Sequence, residues 1–251
     1  MIKTEHTCPV CDASTSALDV VDFNKNCEEA RGGFLPISGI PIYYYMCDEC
    51  DFCFAPEIYQ WSKDEFAEKI YNERYIEVDP DYQDTRPRNK AISLVKTFGE
   101  HALNIKHLDY GGGAGLLSEL LNEAGWQSTS YDPFYNRDTS VEDLGKFDLI
   151  TAYEVFEHVP DVKSLIANLL SLLNDEGVIL FSTLISDGNI ARRQRISWWY
   201  ASPRNGHISL FSKQSLAILA TRNHLSLGSF SSANHVLWNK VPAWASHILR
   251  G

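Results

Sequence analysis

The 251-residue sequence has no long hydrophobic run. Its most apolar stretch, Leu165–Leu173, is broken by Asn168 and Ser171. It falls far short of the roughly 20 residues a bilayer-spanning helix needs. The first residues, Met1–His6, have no basic-then-apolar leader pattern, so a cytoplasmic chain with no membrane partner is expected. Positive charge is also short: 22 Lys and Arg stand against 33 Asp and Glu, a net charge of −11. A general binder of nucleic acid or anionic membrane is thereby disfavoured. The shortage is uneven. Residues 1–100 carry 19 acids and 10 bases, and residues 101–183 carry 13 and 4. Residues 184–251 carry a single acid, Asp187, and 8 bases. Arg192, Arg193 and Arg195, three of these bases close together, would suit a phosphate or carboxylate. A solvated helix face would explain the same residues.

Cysteine, by contrast, is concentrated. All six fall between Cys8 and Cys53. Two Cys-x-x-Cys pairs, Cys8/Cys11 and Cys47/Cys50, each aim two thiolates at one point and together complete a tetrahedral zinc shell. In a reducing compartment, metal ligation explains them better than disulfides. Cys53 sits in the apolar run Cys53-Phe54-Ala55 and reads as a small buried hydrophobe; Cys27 reads as structural. The lobe is too small to bury much core, so zinc would supply much of its folding free energy. Ser62-Lys63-Asp64-Glu65 is a capping box for a helix to about Tyr75. Asp79–Pro87 reads as a break, followed by a helix from about Arg88 to Phe98.

Ile105–Tyr110 is an apolar strand, Gly111-Gly112-Gly113-Ala114-Gly115 a turn, and Leu116–Ala124 an apolar-faced helix. Strand, glycine turn and helix make the first half of a nucleotide-binding βαβ unit. The next strand ends in Asp132, 19 residues after Gly113, where an acid accepts ribose hydroxyls. A dinucleotide fingerprint counted from Gly111 needs glycine where Leu116 stands. Asp109, just before the loop, would repel a pyrophosphate but attract an amino group. S-adenosylmethionine fits this pattern better than NAD.

Leu108–Gly115 resembles motif I of the class I S-adenosylmethionine-dependent methyltransferases. Phe147–Val159 resembles the later strand and Glu-His motif of the ubiquinone- and sugar-type subgroup. Gly177–Thr183 resembles the following strand, and His207–Ser212 that subgroup's His-x-x-x-Phe-Ser segment. The resemblance implies an α/β, Rossmann-like doubly wound sheet. Only Pro133–Lys146 separate the ribose acid from the Phe-Asp strand, so the third strand is expected to be reduced or absent. The domain plan is a zinc lobe over 1–60, a helical connector over 61–100 and a methyltransferase domain over 101–251. The resemblance further implies that Asp109, Tyr110, Gly111, Gly112, Gly113, Gly115, Asp132, Pro133, Tyr153 and Glu154 border the cofactor, with Tyr75 as a cover. His158, Glu157 and His207 are the catalytic candidates, His158 being the best base because histidine titrates near neutrality. Tyr200 and the three arginines are substrate candidates.

Methyl transfer to a small acceptor, such as an anionic nucleotide-linked sugar or a polysaccharide precursor, is the expectation. An RNA or protein methyltransferase gripping its polymer with the zinc lobe, and an inactive cofactor-binding scaffold, are the alternatives. The acidic lobe disfavours RNA.

Overall fold

The computed structural model describes residues 6–249; the leader-type reading of Met1–Glu5 lies outside them. In chain order the main elements are β1 (Thr15–Asp22), β2 (Pro41–Cys47), β3 (Cys53–Phe54), α1 (Lys63–Lys69), α2 (Thr85–Phe98), β4 (Lys106–Tyr110) and α3 (Leu116–Glu123). They continue as β5 (Gln127–Tyr131), β6 (Phe147–Tyr153), α4 (Val162–Leu172), β7 (Leu173–Ser182), β8 (Ser209–Leu210), α5 (Lys213–Arg222), β9 (Ser226–Ser229) and β10 (Asn234–Trp238). The chain forms two compact units. They interleave along the sequence, where the sequence reading set out three consecutive blocks.

The first unit joins residues 1–80, 156–163 and 183–222. Its sheet runs β1-β2-β3-β8, all antiparallel. Residues 209–210 therefore extend the sheet of the cysteine-bearing lobe. Ile42 and Tyr44 to Cys47 are buried along or near the inner face of β2. The Ser62 capping box is present: Glu65 N–H donates to Ser62 Oγ at 3.2 Å, and Ser62 N–H to Glu65 Oε2 at 2.9 Å. The helix it starts is shorter than expected, ending at Lys69, with a separate 3-10 turn over Glu73–Glu77 started by Asn72. The Asn72 side chain accepts from Arg74 N–H and so begins a new turn.

The second unit joins 81–155, 164–182 and 223–251. Its sheet order is β5-β4-β6-β7-β10-β9. β4 pairs in parallel with β5 and β6, and β6 with β7; β10 is antiparallel to both β7 and β9. β5 is the edge, and only a 3-10 turn at Val141–Leu144 stands between it and β6. The expected loss of the third strand is thus observed. One sheet face packs Leu149, Val178, Leu180 and Val236 against Ala91, Leu94 and Phe98 of α2 and Leu117 and Leu121 of α3. Alternation along β7 turns Ile179 and Phe181 to the other face, where burial also requires cover. α4 carries a matching buried stripe, Leu165, Ile166, Leu169 and Leu172. α2 starts earlier than expected and runs through Pro87. Proline is tolerated in a first turn, whose N–H groups have no intrahelical partner.

Candidate functional site

The four cysteines of the two pairs converge in the first unit. Cys8 and Cys50 Sγ lie 3.7 Å apart and Cys11 and Cys47 Sγ 3.3 Å, with all four sulfurs within 4.8 Å of one another. Tetrahedral zinc with bonds of about 2.3 Å sets its sulfurs about 3.8 Å apart, so the donor set fits one ion. The two knuckles are built alike. Asp12 and Asp51, each following its second cysteine, have φ of 64° and 54°, a conformation aspartate tolerates better than most residues. In the second knuckle, Cys47 Sγ accepts from Cys50 N–H at 3.4 Å and Glu49 N–H at 3.5 Å. A hydrogen bond from the Cys50 thiol lowers Cys8 to about 5, while burial raises Cys47 to about 11. Four thiolates so close need a cation. Cys53 is buried in β3, and burial raises its thiol, as its apolar setting implies.

An arginine closes each knuckle from behind. Arg222 donates to the carbonyls of Val10 (2.9 Å) and Cys11 (2.7 Å) and to Asp12 Oδ2. Arg192 donates to the Cys47 carbonyl, to Asp48 Oδ1 at 2.7 Å and to Asp51 Oδ1 at 2.9 Å. Arg195 pairs with Asp19. Arg192 and Arg195, expected as substrate candidates, thus pair with aspartates of the lobe itself. Arg193 is exposed with φ of 62°. Arg222→Ala is expected to speed zinc release to a chelator about five-fold, since it removes several hydrogen bonds from one knuckle at a half-exposed position. A colorimetric zinc assay measures this.

In the second unit, β4 delivers the glycine loop onto α3. Gly111 has φ of 78°, and a Cβ there would lie 2.5 Å from Val155 Cγ2. At Gly112 a Cβ would lie 2.4 Å from Ser130 Oγ and 2.5 Å from Asp109 Oδ2. A side chain at either position would have to displace these neighbours. Gly113 N–H donates to Asp132 Oδ2 at 3.1 Å, so the acid at the end of β5 meets the loop. Asp132 Oδ1 accepts from Phe134 N–H at 2.8 Å, which fixes the turn through Pro133. A Cβ on Gly113 meets nothing within 4 Å, so the loop borders open space beside this carboxylate. Asp109 is 4% exposed; burial raises its carboxyl to about 7, against a hydrogen bond from Thr151 that lowers it. Tyr110 packs 5.5 Å from Tyr131, and its hydroxyl is raised by burial.

At the end of β6 the backbone turns sharply. Glu154 has φ of 54°, held by Ser182, whose Oγ accepts Glu154 N–H at 2.9 Å and donates to Glu154 Oε1 at 2.6 Å. A non-glycine residue in this region marks a site the fold over-determines. The Tyr153 hydroxyl is raised by burial and by the Asp109 charge, and Lys90 Nζ sits 4.1 Å over its ring. Ser182, Ser130 and Thr151 were not among the expected site residues. Small hydroxyl residues in strands leave no mark beyond β-propensity.

The catalytic candidates assemble in the first unit. Glu157 is fully buried, and its Oε1 accepts from Tyr200 Oη at 2.5 Å. His207 Nδ1 lies 2.8 Å from the Tyr200 carbonyl, which sets Nδ1 as the donor and leaves Nε2 the basic nitrogen. The His158 and His207 rings are 4.8 Å apart, and a Cβ on Gly206 would come 3.1 Å from His158 Nδ1. Gly206 therefore lets the loop before β8 close on the imidazole. Tyr44 Oη, from β2, donates to the His207 carbonyl at 2.7 Å. Tyr200 is thus a support for Glu157 and His207. Tyr75 packs 5.3 Å from Tyr71, its hydroxyl 3.4 Å from Asp79 Oδ2 and from the Asn205 carbonyl.

This topology, with its glycine loop and paired acids, is that of the class I methyltransferase fold. The chain belongs to the methyltransferase-domain family, whose model matches residues 82–227, more than half of its length. It is similar to the ubiquinone biosynthesis O-methyltransferase of Actinobacillus pleuropneumoniae serotype 7, at 35% identity over 106 residues, 32% of this chain and 45% of that one. It is also similar to the enzyme of the same name from Chromobacterium violaceum, at 29% over 147 residues, 49% and 57% of the two chains. The chain spans about half the length of the curated relatives it matches. Among solved structures, the plantazolicin methyltransferase BpumL, in complex with a monoazolic desmethylPZN analog and SAH, superposes with a TM-score of 0.50 at 14% identity. That likeness covers 74% of this chain and 96% of BpumL. Among the described residues, no helix is long and apolar enough to cross a membrane.

Proposed function

We propose that the chain transfers a methyl group from S-adenosylmethionine to a small acceptor. The observation that carries this is the glycine loop, where a side chain at Gly111 or Gly112 would have to displace its neighbours and the Asp132 carboxylate meets Gly113 N–H. Asp132 would take the ribose hydroxyls, and Asp109 lies where a cationic amino group would be drawn. Tyr110, Pro133, Tyr153, Glu154 and Gly115 border the same loop in sequence or structure and complete the binding candidates. When bound, the cofactor supplies an activated methyl on sulfur for in-line displacement.

Within the first unit, His158 is the candidate base for the proton of an attacking hydroxyl or amine. The His207 ring lies 4.8 Å from it, and Tyr200 bonds both Glu157 and His207. Zinc at Cys8, Cys11, Cys47 and Cys50 is structural, because a full shell of four cysteines leaves no open position for substrate. The acceptor is a small molecule carrying a hydroxyl or amine, with nucleotide-linked sugars and polysaccharide precursors as the first class to test. Ubiquinone-type phenols are the second, on the naming of the relatives. Exchange of Arg192 and Arg195 with lobe aspartates reduces the case for an anionic acceptor.

The test is formation of S-adenosylhomocysteine from S-adenosylmethionine across a panel of nucleotide sugars and phenols. His158→Ala is expected to lower the rate about 10²–10⁴-fold while leaving cofactor affinity unchanged. No turnover with any panel member, or full activity in His158→Ala, contradicts the reading.

A further inference from the structure

Behind the glycine loop, a row of polar side chains crosses the apolar core of the second unit. His107 and Asp109 are two apart on β4 and share a face. The register sets His107 opposite Ser128 on β5 and Asp109 opposite Thr151 on β6. The contacts are continuous. Asp109 Oδ1 to Thr151 Oγ1 is 2.8 Å, and Thr151 Oγ1 to His107 Nε2 is 3.0 Å. His107 Nδ1 to Ser128 Oγ is 2.7 Å, and Ser128 Oγ to Ser118 Oγ of α3 is 2.8 Å. His107 and Thr151 are fully buried, and the imidazole is pinned edge-on against Trp126, with ring centroids 5.7 Å apart. Burial lowers His107 to about 3, so the ring is neutral and carries one N–H.

One N–H per ring and one O–H per hydroxyl allow two complete arrangements. With Asp109 ionised, Thr151 donates to Asp109, His107 Nε2–H donates to Thr151, Ser128 donates to Nδ1, and Ser118 turns its hydroxyl to Ser128. With Asp109 protonated every link reverses: Asp109 donates to Thr151, Thr151 to Nε2, Nδ1–H to Ser128, and Ser128 to Ser118. Passing from the protonated to the ionised arrangement moves one proton along each link from Asp109 to Ser128 and releases one to solvent, while Ser118 only turns its hydroxyl. The Asp109 proton goes to Thr151, the Thr151 proton to Nε2, and the Nδ1 proton to Ser128. The proton that Ser128 held leaves at its half-buried end. In each arrangement every hydrogen bond from Asp109 to Ser118 is made, with all of them running in one direction.

We propose that His107 is a positioning residue for the cofactor acid, acting as a tautomer relay that lets buried Asp109 give up its proton when a cationic ligand binds. This rests on the reading of Asp109 as part of the cofactor site. The other titratable groups facing Asp109 are Asp132 at the end of β5 and Tyr153 on β6; Lys90 of α2 lies over the Tyr153 ring. The Asp132 charge favours the protonated acid, and a bound ammonium favours the ionised one.

The experiment is nitrogen-15 NMR of histidine-labelled protein, with the His107 signals assigned by their loss in His107→Phe. They are assigned instead by their perturbation in Thr151→Val should that variant not fold. The protonated nitrogen of His107 is expected to change from Nδ1 at pH 5.5 to Nε2 at pH 8.5, and to become Nε2 at pH 6.5 on saturation with S-adenosylhomocysteine. Thr151→Val, nearly isosteric, should fix one tautomer at all pH values and weaken S-adenosylhomocysteine about ten-fold by calorimetry, the loss of one hydrogen bond to a charged group. Thr151→Ser should restore both. A His107 tautomer that ignores pH, or wild-type affinity in Thr151→Val, overturns the relay. If the wild type binds no S-adenosylhomocysteine yet the tautomer still changes with pH, the relay stands and the cofactor reading falls.

Discussion

Stripping zinc, or replacing Cys8 by serine, is expected to unfold the first unit and abolish methyl transfer while the second unit keeps its structure. The lobe's strands are weakly buried: β3 has two residues, and of the eight in β1 only Thr15 is fully buried. Structural zinc in small lobes contributes about 10 kcal/mol or more of folding free energy, far above what such strands supply alone. The loss reaches His207 by a traceable route. β2 ends at Cys47, and Tyr44, three residues earlier, holds the His207 carbonyl. Without the knuckles, β2 has no anchored end, and His207 loses its support. Freshly purified protein should contain about one zinc per chain. Scanning calorimetry after chelation should show a low-temperature transition that zinc restores. An unchanged melting profile and rate in fully zinc-depleted protein would contradict this.

Asp109→Asn is expected to make the ligand-free protein more stable, and more so as pH rises. The carboxyl is buried and raised from 3.8 to about 7. A carboxylic acid with a raised folded value binds more protons folded than unfolded between those two pH values, so its contribution to stability falls as pH rises through that window. About three units correspond to about 4 kcal/mol, fully present as a deficit above pH 7 and absent below pH 4. Asparagine keeps the shape and the Thr151 contact without the charge. The variant and the wild type should therefore unfold in urea at the same concentration near pH 4 and diverge toward pH 7. Equal divergence at both ends of the range would show that Asp109 is not the group responsible. Such a deficit at a binding site is the usual trade between stability and function.

Much of the architecture was legible. Glycine loops, apolar strands and the capping box are local patterns. The loss of the third strand also followed from the short gap between Asp132 and Phe147, which leaves no room for another strand and crossover. The convergence of Cys8, Cys11, Cys47 and Cys50 was legible because Cys-x-x-Cys spacing fixes geometry by itself. Placement over long separations was not legible. Arg192 meets Asp48 across 144 residues and Arg222 meets Asp12 across 210. From sequence, the basic final quarter suggested a substrate surface; in the fold, Arg192, Arg195 and Arg222 pair with aspartates of the acidic cysteine-bearing lobe within the same unit. Charge counts carry sign but no address. The polar row through His107 was hidden for a related reason. A histidine inside an apolar strand reads as an isolated core residue until the register brings Ser128 and Thr151 beside it.

The central claim is that the glycine loop holds S-adenosylmethionine. Isothermal titration of the zinc-loaded wild type with S-adenosylhomocysteine tests it most directly, with Gly112→Val alongside. A valine side chain at 112 would collide with Ser130 and Asp109, whose atoms lie 2.4 and 2.5 Å from a Cβ there. Saturable binding at one site per chain in the wild type and none in a folded Gly112→Val is the predicted result. No binding in the wild type, or equal binding in the two proteins, would contradict the account.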